Sequence, residues 1–449
     1  MNILFIYSLQ DIESFNKPLR SPEYIQFGIS YISAVLKKYG HQTKLLIMSR
    51  LAGNRYNTNI LDKHIDDFQP NLICFTAVFS EYHFIADIAR YVKKRFKNIF
   101  LLVGGAHTTL NPESVLMDDF DALCMGEGEY PTLELVEQLE NSIVPGGIAN
   151  LWIKHGSRVE KNPTRSFLDN LDSLPVLDRE MWQEWIEEQP GAGHAVLLGR
   201  GCPFECTYCS NHSLKKVSAG KYVRLRSVDK IVEEIREVNL KSPNHRDFYL
   251  EIETFYVDKK WALELCSKLL DFNKTLPMPL SFGVNLRITP NVDYKELFMA
   301  CKESNFSFIN IGLESGSERI RRDILKRNYS NLDVIKAVRS ARECGLKVAF
   351  FNLVGIPGET ESDFEETVKM NRVCLPDWNM TSIFFPYPGT QLNSYCKENG
   401  LIGDFLDTTR ERDRAVLDLP NFSKRNIQKR YEWLYFFIKP SGGVIFIKK

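Results

Sequence analysis

Short runs of consecutive apolar residues alternate with longer stretches whose apolar positions recur every three or four residues, and this rhythm persists along most of the chain. Asn2–Tyr7 is an apolar run bounded by polar residues and predicts a buried strand. Ile25–Tyr39 has helical periodicity and stops at Gly40, a C-terminal stop signal. His41–Met48 predicts a strand, Ile60–Phe68 a helix, Asn71–Val78 an apolar strand, Phe84–Phe96 a helix and Asn98–Val103 another strand. Strands alternating with helices argue for a doubly wound parallel sheet, whose ligands sit at the carboxyl ends of its strands. The alternation resumes downstream. Strands are expected at His194–Leu198, Phe248–Ile252, Leu280–Val284, Phe308–Ile311, Val348–Val354 and Met380–Phe384. Helices are expected at Ser227–Leu240, Lys259–Phe272, Tyr294–Ser304, Leu332–Glu343 and Glu361–Arg372. About six strand–helix units make a parallel sheet that helices must cover and that can curl into a partial barrel.

The breaks in this rhythm suggest four segments: a first α/β domain at 1–150, a linker at 151–193, a barrel domain at 194–400 and a helical tail at 401–449. Gly146-Gly147, Pro163, Pro175 and Pro190-Gly191 punctuate the linker. Leu168–Leu177 reads as a connector, and Trp182 and Trp185 as part of a short packed helix. In the tail, Arg410–Arg414 reads as a solvated helix face and Tyr431–Ile438 as a helix packed on the barrel.

Composition narrows the classes. Lysine plus arginine and aspartate plus glutamate each number 57 in 449 residues, so no global field attracts nucleic acid or an anionic membrane. No apolar run approaches the length of a membrane span. The start of the chain lacks the pattern of a signal peptide. The ten cysteines form no regular framework outside one cluster, which points to a reducing, cytoplasmic setting.

That cluster is Cys202, Cys206 and Cys209, in Gly199-Arg-Gly-Cys-Pro-Phe-Glu-Cys-Thr-Tyr-Cys. Thiolates are soft ligands that select zinc, copper(I) or iron–sulfur clusters. A closed zinc site needs a fourth ligand, which His212 is placed to supply. An iron–sulfur cluster held by three cysteines instead leaves one iron open for a small molecule, which suits chemistry better than simple electron transfer.

The ends of the expected strands carry further unusual residues. In the first segment these are the turn Gly104-Gly105-Ala106-His107 and Gly126-Glu127-Gly128. Paired glycines permit close backbone approach to a ligand, or merely a tight turn. No G-x-G-x-x-G follows the first strand, so a dinucleotide site is not supported. In the barrel segment they are Glu251 and Glu253, Asn285-Leu-Arg287, Ile-Gly-Leu-Glu314-Ser315-Gly, and Val-Gly355-Ile-Pro-Gly-Glu359-Thr.

The C-x3-C-x2-C spacing, with Tyr208 before the last cysteine, is similar to the signature of radical S-adenosylmethionine enzymes. Together with Gly-Gly-Ala-His-Thr-Thr and Asp121–Glu129 it resembles the cobalamin-binding branch of that superfamily, its class B methyltransferases in particular. The resemblance implies an N-terminal Rossmann-like cobalamin-binding domain followed by a partial (β/α)6 TIM-type radical SAM barrel. It implies a 4Fe–4S cluster on Cys202, Cys206 and Cys209. It implies S-adenosylmethionine beside Tyr208, Glu251, Glu253, Arg287, Glu314, Ser315 and Gly355, with Arg287 at the carboxylate, Glu314 and Ser315 near the ribose or amino group, and Gly355 near the adenine. It implies cobalamin against Thr76, Gly104, Gly105, His107, Gly126, Glu127 and Gly128. The loop Ser8–Asn16 has no histidine, so a lower histidine ligand to cobalt is not expected there; His107 is a loop residue near the corrin or a satisfied surface histidine.

The activity implied is methyl transfer from methylcobalamin to an unactivated carbon by way of a 5′-deoxyadenosyl radical. The substrate is an unknown small molecule or peptide, and the electron donor a flavodoxin or ferredoxin. Two alternatives stay open: a radical cyclase, oxidoreductase or rearrangement catalyst that uses cobalamin without methyl transfer, and a non-catalytic zinc or iron–sulfur module. A methylthiotransferase would need a second cysteine triad upstream, where only Cys74 and Cys124 occur. No side chain is assigned an acid–base role.

Overall fold

Five consecutive parallel strands build the first sheet: β1 (Asn2–Ser8), β2 (Gln42–Met48), β3 (Leu72–Thr76), β4 (Phe100–Gly104) and β5 (Ala122–Cys124), in the spatial order β2-β1-β3-β4-β5. Central strands of such a sheet are covered on both faces, which is why Ile3, Leu4, Leu72, Ile73, Leu101 and Val103 are essentially inaccessible and the strands read as unbroken apolar runs. This computed structural model describes residues 1–449 except 11, 13, 188–192, 404–405, 409–410, 439–444 and 447–449, and only the backbone of 433–438 and 445–446. Pro190-Gly191, Arg410 and most side chains of the aromatic stretch Tyr431–Ile438 therefore lie outside the described residues.

The chain divides into two units, Met1–Gly193 with Ser213–Arg224, and His194–His212 with Leu225–Lys449. In the first, helices Phe27–Lys38, Asn54–Phe68, Tyr82–Arg95 and Glu129–Glu140 connect or follow the strands. Residues 151–187 of the stretch expected as a linker are folded into this unit. Its strands β6 (Leu151–His155) and β7 (Arg158–Lys161) extend the sheet antiparallel beyond β5. They escape the sequence reading because they are only five and four residues long and Lys154, His155, Arg158, Glu160 and Lys161 leave too few apolar positions to show a period. Trp182 and Trp185 do lie in a short helical turn, Glu180–Trp185, and are buried. Trp182 Nε1 donates to Ser30 Oγ at 2.7 Å and Trp185 Nε1 to the Leu45 carbonyl at 3.2 Å.

The second unit carries β8 (His194–Leu197), β9 (Asp247–Glu251), β10 (Ser281–Leu286), β11 (Phe306–Glu314), β12 (Lys347–Val354) and β13 (Trp378–Ile383), all parallel and adjacent in chain order, with Ile445–Phe446 beyond β13. Helices Val228–Lys241, Lys259–Lys274, Lys295–Glu303, Asn331–Glu343 and Glu361–Cys374 pack on the outside, which is the partial strand–helix barrel expected. Two of these helices open on full capping boxes, Ser330/Asp333 and Thr360/Asp363. The tail forms a helix over Lys424–Ile438. Glu411–Arg414, expected as a helix face, is instead a turn in which Arg412 has φ +69° and donates to Tyr387 Oη at 2.9 Å.

Candidate functional site

Gly201, at φ +87°, opens the cysteine loop in a conformation that favours glycine. Cys206 is buried, and Cys202 and Cys209 are partly so. Burial pushes the Cys202 thiol up to about 11; a backbone bond from Phe204 opposes this and the Glu253 charge adds to it. Burial likewise raises Cys209. Such thiols ionise when a metal displaces the proton. Cys206 and Cys209 lie close enough to Cys202 for their charges to add to its shift. His212 Nδ1 lies 2.5 Å from the Cys209 carbonyl, which holds the ring against its own loop.

The loop is clamped by the segment that follows β11. Thr207 Oγ1 donates to the Ile324 carbonyl at 2.6 Å. Tyr208 Oη accepts from Arg327 Nη1 at 2.8 Å. The same nitrogen donates to Glu314 Oε1 at 2.9 Å, Nη2 to the Gly312 carbonyl at 2.9 Å, and Nε to Tyr329 Oη at 3.1 Å. Glu314 ends β11 at φ +59°, a strained backbone for a residue with a Cβ. A Cβ on Gly312 would stand 2.5 Å from Glu314 Oε1, so glycine is required there for the carboxylate to lie back on the strand.

Arg287, from the end of β10, makes no ion pair with a carboxylate among the described residues. Its Nη1 donates to Cys206 Sγ, and its guanidinium lies 3.6 Å from the centroid of the Phe204 ring. Glu253 is exposed, yet its charge is felt by both Cys202 and Cys209. Glu251, half-buried, ends β9. Cys206, Tyr208, Arg287 and Glu314 are thus brought together at the strand ends. Two expected residues are not. Ser315 is fully buried, its hydroxyl 3.4 Å from Thr367 Oγ1 and accepting from the Ser317 N–H. Gly355, at φ +80°, gives its N–H to Glu359 Oε2 at 2.6 Å, and a Cβ there would meet Ile427 of the tail helix at 2.9 Å. Its lack of a side chain makes room for Ile427.

Glu359, four residues on from Gly355, is 1% exposed. Burial raises its carboxyl to about 8 against the bonds from the Gly355 and Ile356 N–H groups.

In the first unit Thr76 pairs in register with Gly104. Gly105 has φ +103°, and a Cβ on it would stand 2.8 Å from the Ala77 carbonyl and 3.1 Å from Thr76 Oγ1. Gly126, at φ +76°, donates to Thr109 Oγ1 at 3.0 Å. A Cβ on Gly128 would meet Ile32 at 3.0 Å. Glu127 is held in an ion pair with buried Arg224 at 2.9 Å and accepts the Leu168 N–H. His107 is neither at the surface nor satisfied. It is buried against Tyr82, ring centroids 4.4 Å apart, its Nε2 has no partner among the described residues, and burial lowers its pKa to about 4. A neutral imidazole with an orphaned buried nitrogen, at the end of β4, fits a ligand rich in amides and hydroxyls such as cobalamin. Sequence reading also missed Glu81, a buried acid that accepts from Ser8 at the end of β1.

Residues 196–370 match the radical SAM superfamily and residues 21–136 the B12 binding domain. An uncharacterized methyltransferase of Pyrococcus horikoshii is 27% identical over 418 residues, which are 92% of this chain and 88% of that protein. The anaerobic magnesium-protoporphyrin IX monomethyl ester cyclase of Cereibacter sphaeroides is 23% identical; the match takes in 84% of this chain and 61% of the cyclase. The structure of TsrM, a radical S-adenosylmethionine methyltransferase from Kitasatospora setae with cobalamin and a 4Fe–4S cluster bound, shares the fold. It matches with a TM-score of 0.69 at 15% identity, over 89% of this chain and 75% of TsrM. The two matched domains imply an iron–sulfur cluster, S-adenosylmethionine and cobalamin, and among the described residues no helix is long and apolar enough to cross a membrane. The chain thus carries a B12 binding domain followed by a radical SAM domain, the pair of domains that defines cobalamin-binding radical S-adenosylmethionine enzymes.

Proposed function

We propose that this protein is a cobalamin-dependent radical methyltransferase that methylates an unactivated carbon of a small molecule or peptide, with its electron supplied by a flavodoxin- or ferredoxin-type donor in the cytoplasm. The observation that carries the reading is the meeting of Cys206, Tyr208, Arg287 and Glu314 at the carboxyl ends of one parallel barrel. Cys202, Cys206 and Cys209 hold the cluster. When bound, the cofactors supply the electron that cleaves the sulfonium and the methyl group that is transferred. The side chains bind and orient. Glu314 and Glu253 offer carboxylates to a cationic amine and to hydroxyls. Arg287 offers a fixed positive charge beside the cluster sulfur, and Phe204 covers it from water. Thr76, Gly105 and His107 line the strand ends proposed for cobalamin, whereas the ion pair of Glu127 and the enclosure of Ser315 and Gly355 favour structural work for those three.

Anaerobic reconstitution with iron and sulfide tests this. The wild-type protein should turn brown and, once reduced, give the paramagnetic signal of a 4Fe–4S cluster. The C202A/C206A/C209A variant should hold no cluster. Tight stoichiometric zinc and no cluster in the wild type would refute the reading. The second reading, a cyclase or other radical enzyme without methyl transfer, is favoured by the likeness to the Cereibacter sphaeroides cyclase.

A further inference from the structure

The basic run Arg319–Arg327 contains two guanidiniums withdrawn from water, Arg321 at 0% and Arg327 at 4% exposure. Arg321 is used locally, on the Ser315 and Tyr329 carbonyls and the Asn331 side chain. Arg327 is different, because its partners come from separate elements. They are Tyr208 of the cysteine loop, Glu314 and the Gly312 carbonyl of β11, and Tyr329. Burying a guanidinium is costly unless its charge is matched, and Glu314 is its one carboxylate at ion-pair distance among the described residues. The Tyr329 hydroxyl also donates to the Gly312 carbonyl at 2.8 Å, so the Arg327 and Tyr329 bonds converge on the residues around Glu314. The pair fixes two things at once: the strained Glu314 carboxylate, and the aromatic ring between Cys206 and Cys209.

We infer that Arg327 is a positioning residue for S-adenosylmethionine, locking Glu314 and Tyr208 into one preorganised face so that the ligand meets them without reordering. The inference rests on the radical S-adenosylmethionine reading above and adds a residue to it. Arg327 touches neither ligand nor cluster in this role; it acts through Glu314 and Tyr208. A loose carboxylate would first have to be ordered by the ligand, and that ordering cost appears as weaker binding.

The test uses the full chain, reconstituted anaerobically, and follows S-adenosylmethionine affinity through its perturbation of the reduced-cluster spectrum, with iron content and Tm measured alongside. Arg327→Met should weaken affinity at least tenfold at unchanged iron content, and Arg327→Lys should recover part of the loss. Gly312→Ala keeps the charge but pushes a methyl group into Glu314 Oε1 and to 3.0 Å from Arg327 Nη2. It should weaken affinity similarly, and it decides the matter if Arg327→Met fails to fold. Wild-type-like affinity, within twofold, in Gly312→Ala and in folded Arg327→Met would overturn the inference while leaving the functional reading intact. A wild-type protein that holds its cluster but does not bind S-adenosylmethionine would instead bring down that reading and this inference with it.

Discussion

Arg287 Nη1 donates to Cys206 Sγ at 2.7 Å, and no carboxylate shares that guanidinium's contacts among the described residues. Burial and the neighbouring Arg327 charge lower the Arg287 pKa, against the pull of Cys206. A buried cation donating to a cluster sulfur stabilises added negative charge, so it raises the reduction potential. Replacing it by Met removes a hydrogen bond to a charged group, worth about 1.5–3 kcal/mol. Only the part of that energy gained on reduction moves the potential, so for a one-electron couple the fall is up to about 130 mV. A spectroscopically monitored redox titration of Arg287→Met, at equal iron content, checks this; an unmoved potential would assign Arg287 elsewhere.

Glu127, expected from the resemblance beside cobalamin, is ion-paired with Arg224. Leaving one member of a largely buried ion pair without its partner costs about 3 kcal/mol or more. Glu127→Gln and Arg224→Met should each lower the urea midpoint, and the double variant should be less destabilised than the sum of the two. Cobalamin affinity should change equally in the two single variants. A distinctly greater loss in Glu127→Gln would restore a direct contact.

Glu359 makes a pH prediction. Its folded pKa of about 8 lies above the ordinary carboxyl value of 4.5, so its contribution to stability is full below the unfolded pKa and is lost as pH rises through about 8. Glu359→Gln keeps an acceptor for the Gly355 and Ile356 N–H groups and cannot ionise. The difference in Tm, variant minus wild type, should therefore grow in the positive direction from pH 5 to pH 8.5, by several degrees. A flat or falling difference would show that Glu359 is ionised in the folded protein throughout.

How much was legible beforehand follows from what each residue type advertises. Buried parallel strands are continuous apolar runs, so β1, β3 and β12 were plain. Strands β6 and β7 were not, because they are short and rich in charged residues. The cysteine spacing and the sharp strand-end turns survive as local patterns, since they are set by neighbours in sequence. Arg327 is invisible for the opposite reason. It sits among Arg319, Arg322, Asp323 and Lys326, a run that reads as solvated, and its partners Tyr208 and Glu314 are 119 and 13 residues away. Gly355 shows the reverse: the sequence displays a glycine in a motif-like turn but not Ile427, which fills the space beside it.

The most direct measurement is the product ratio in anaerobic turnover of reconstituted protein with cobalamin, reductant, S-adenosylmethionine and deuterium-labelled candidate substrates. For each methylated product the account predicts one 5′-deoxyadenosine carrying substrate deuterium and one S-adenosylhomocysteine. Labelled deoxyadenosine with no S-adenosylhomocysteine would contradict methyl transfer, and unlabelled deoxyadenosine beside methylated product would contradict hydrogen abstraction by the radical.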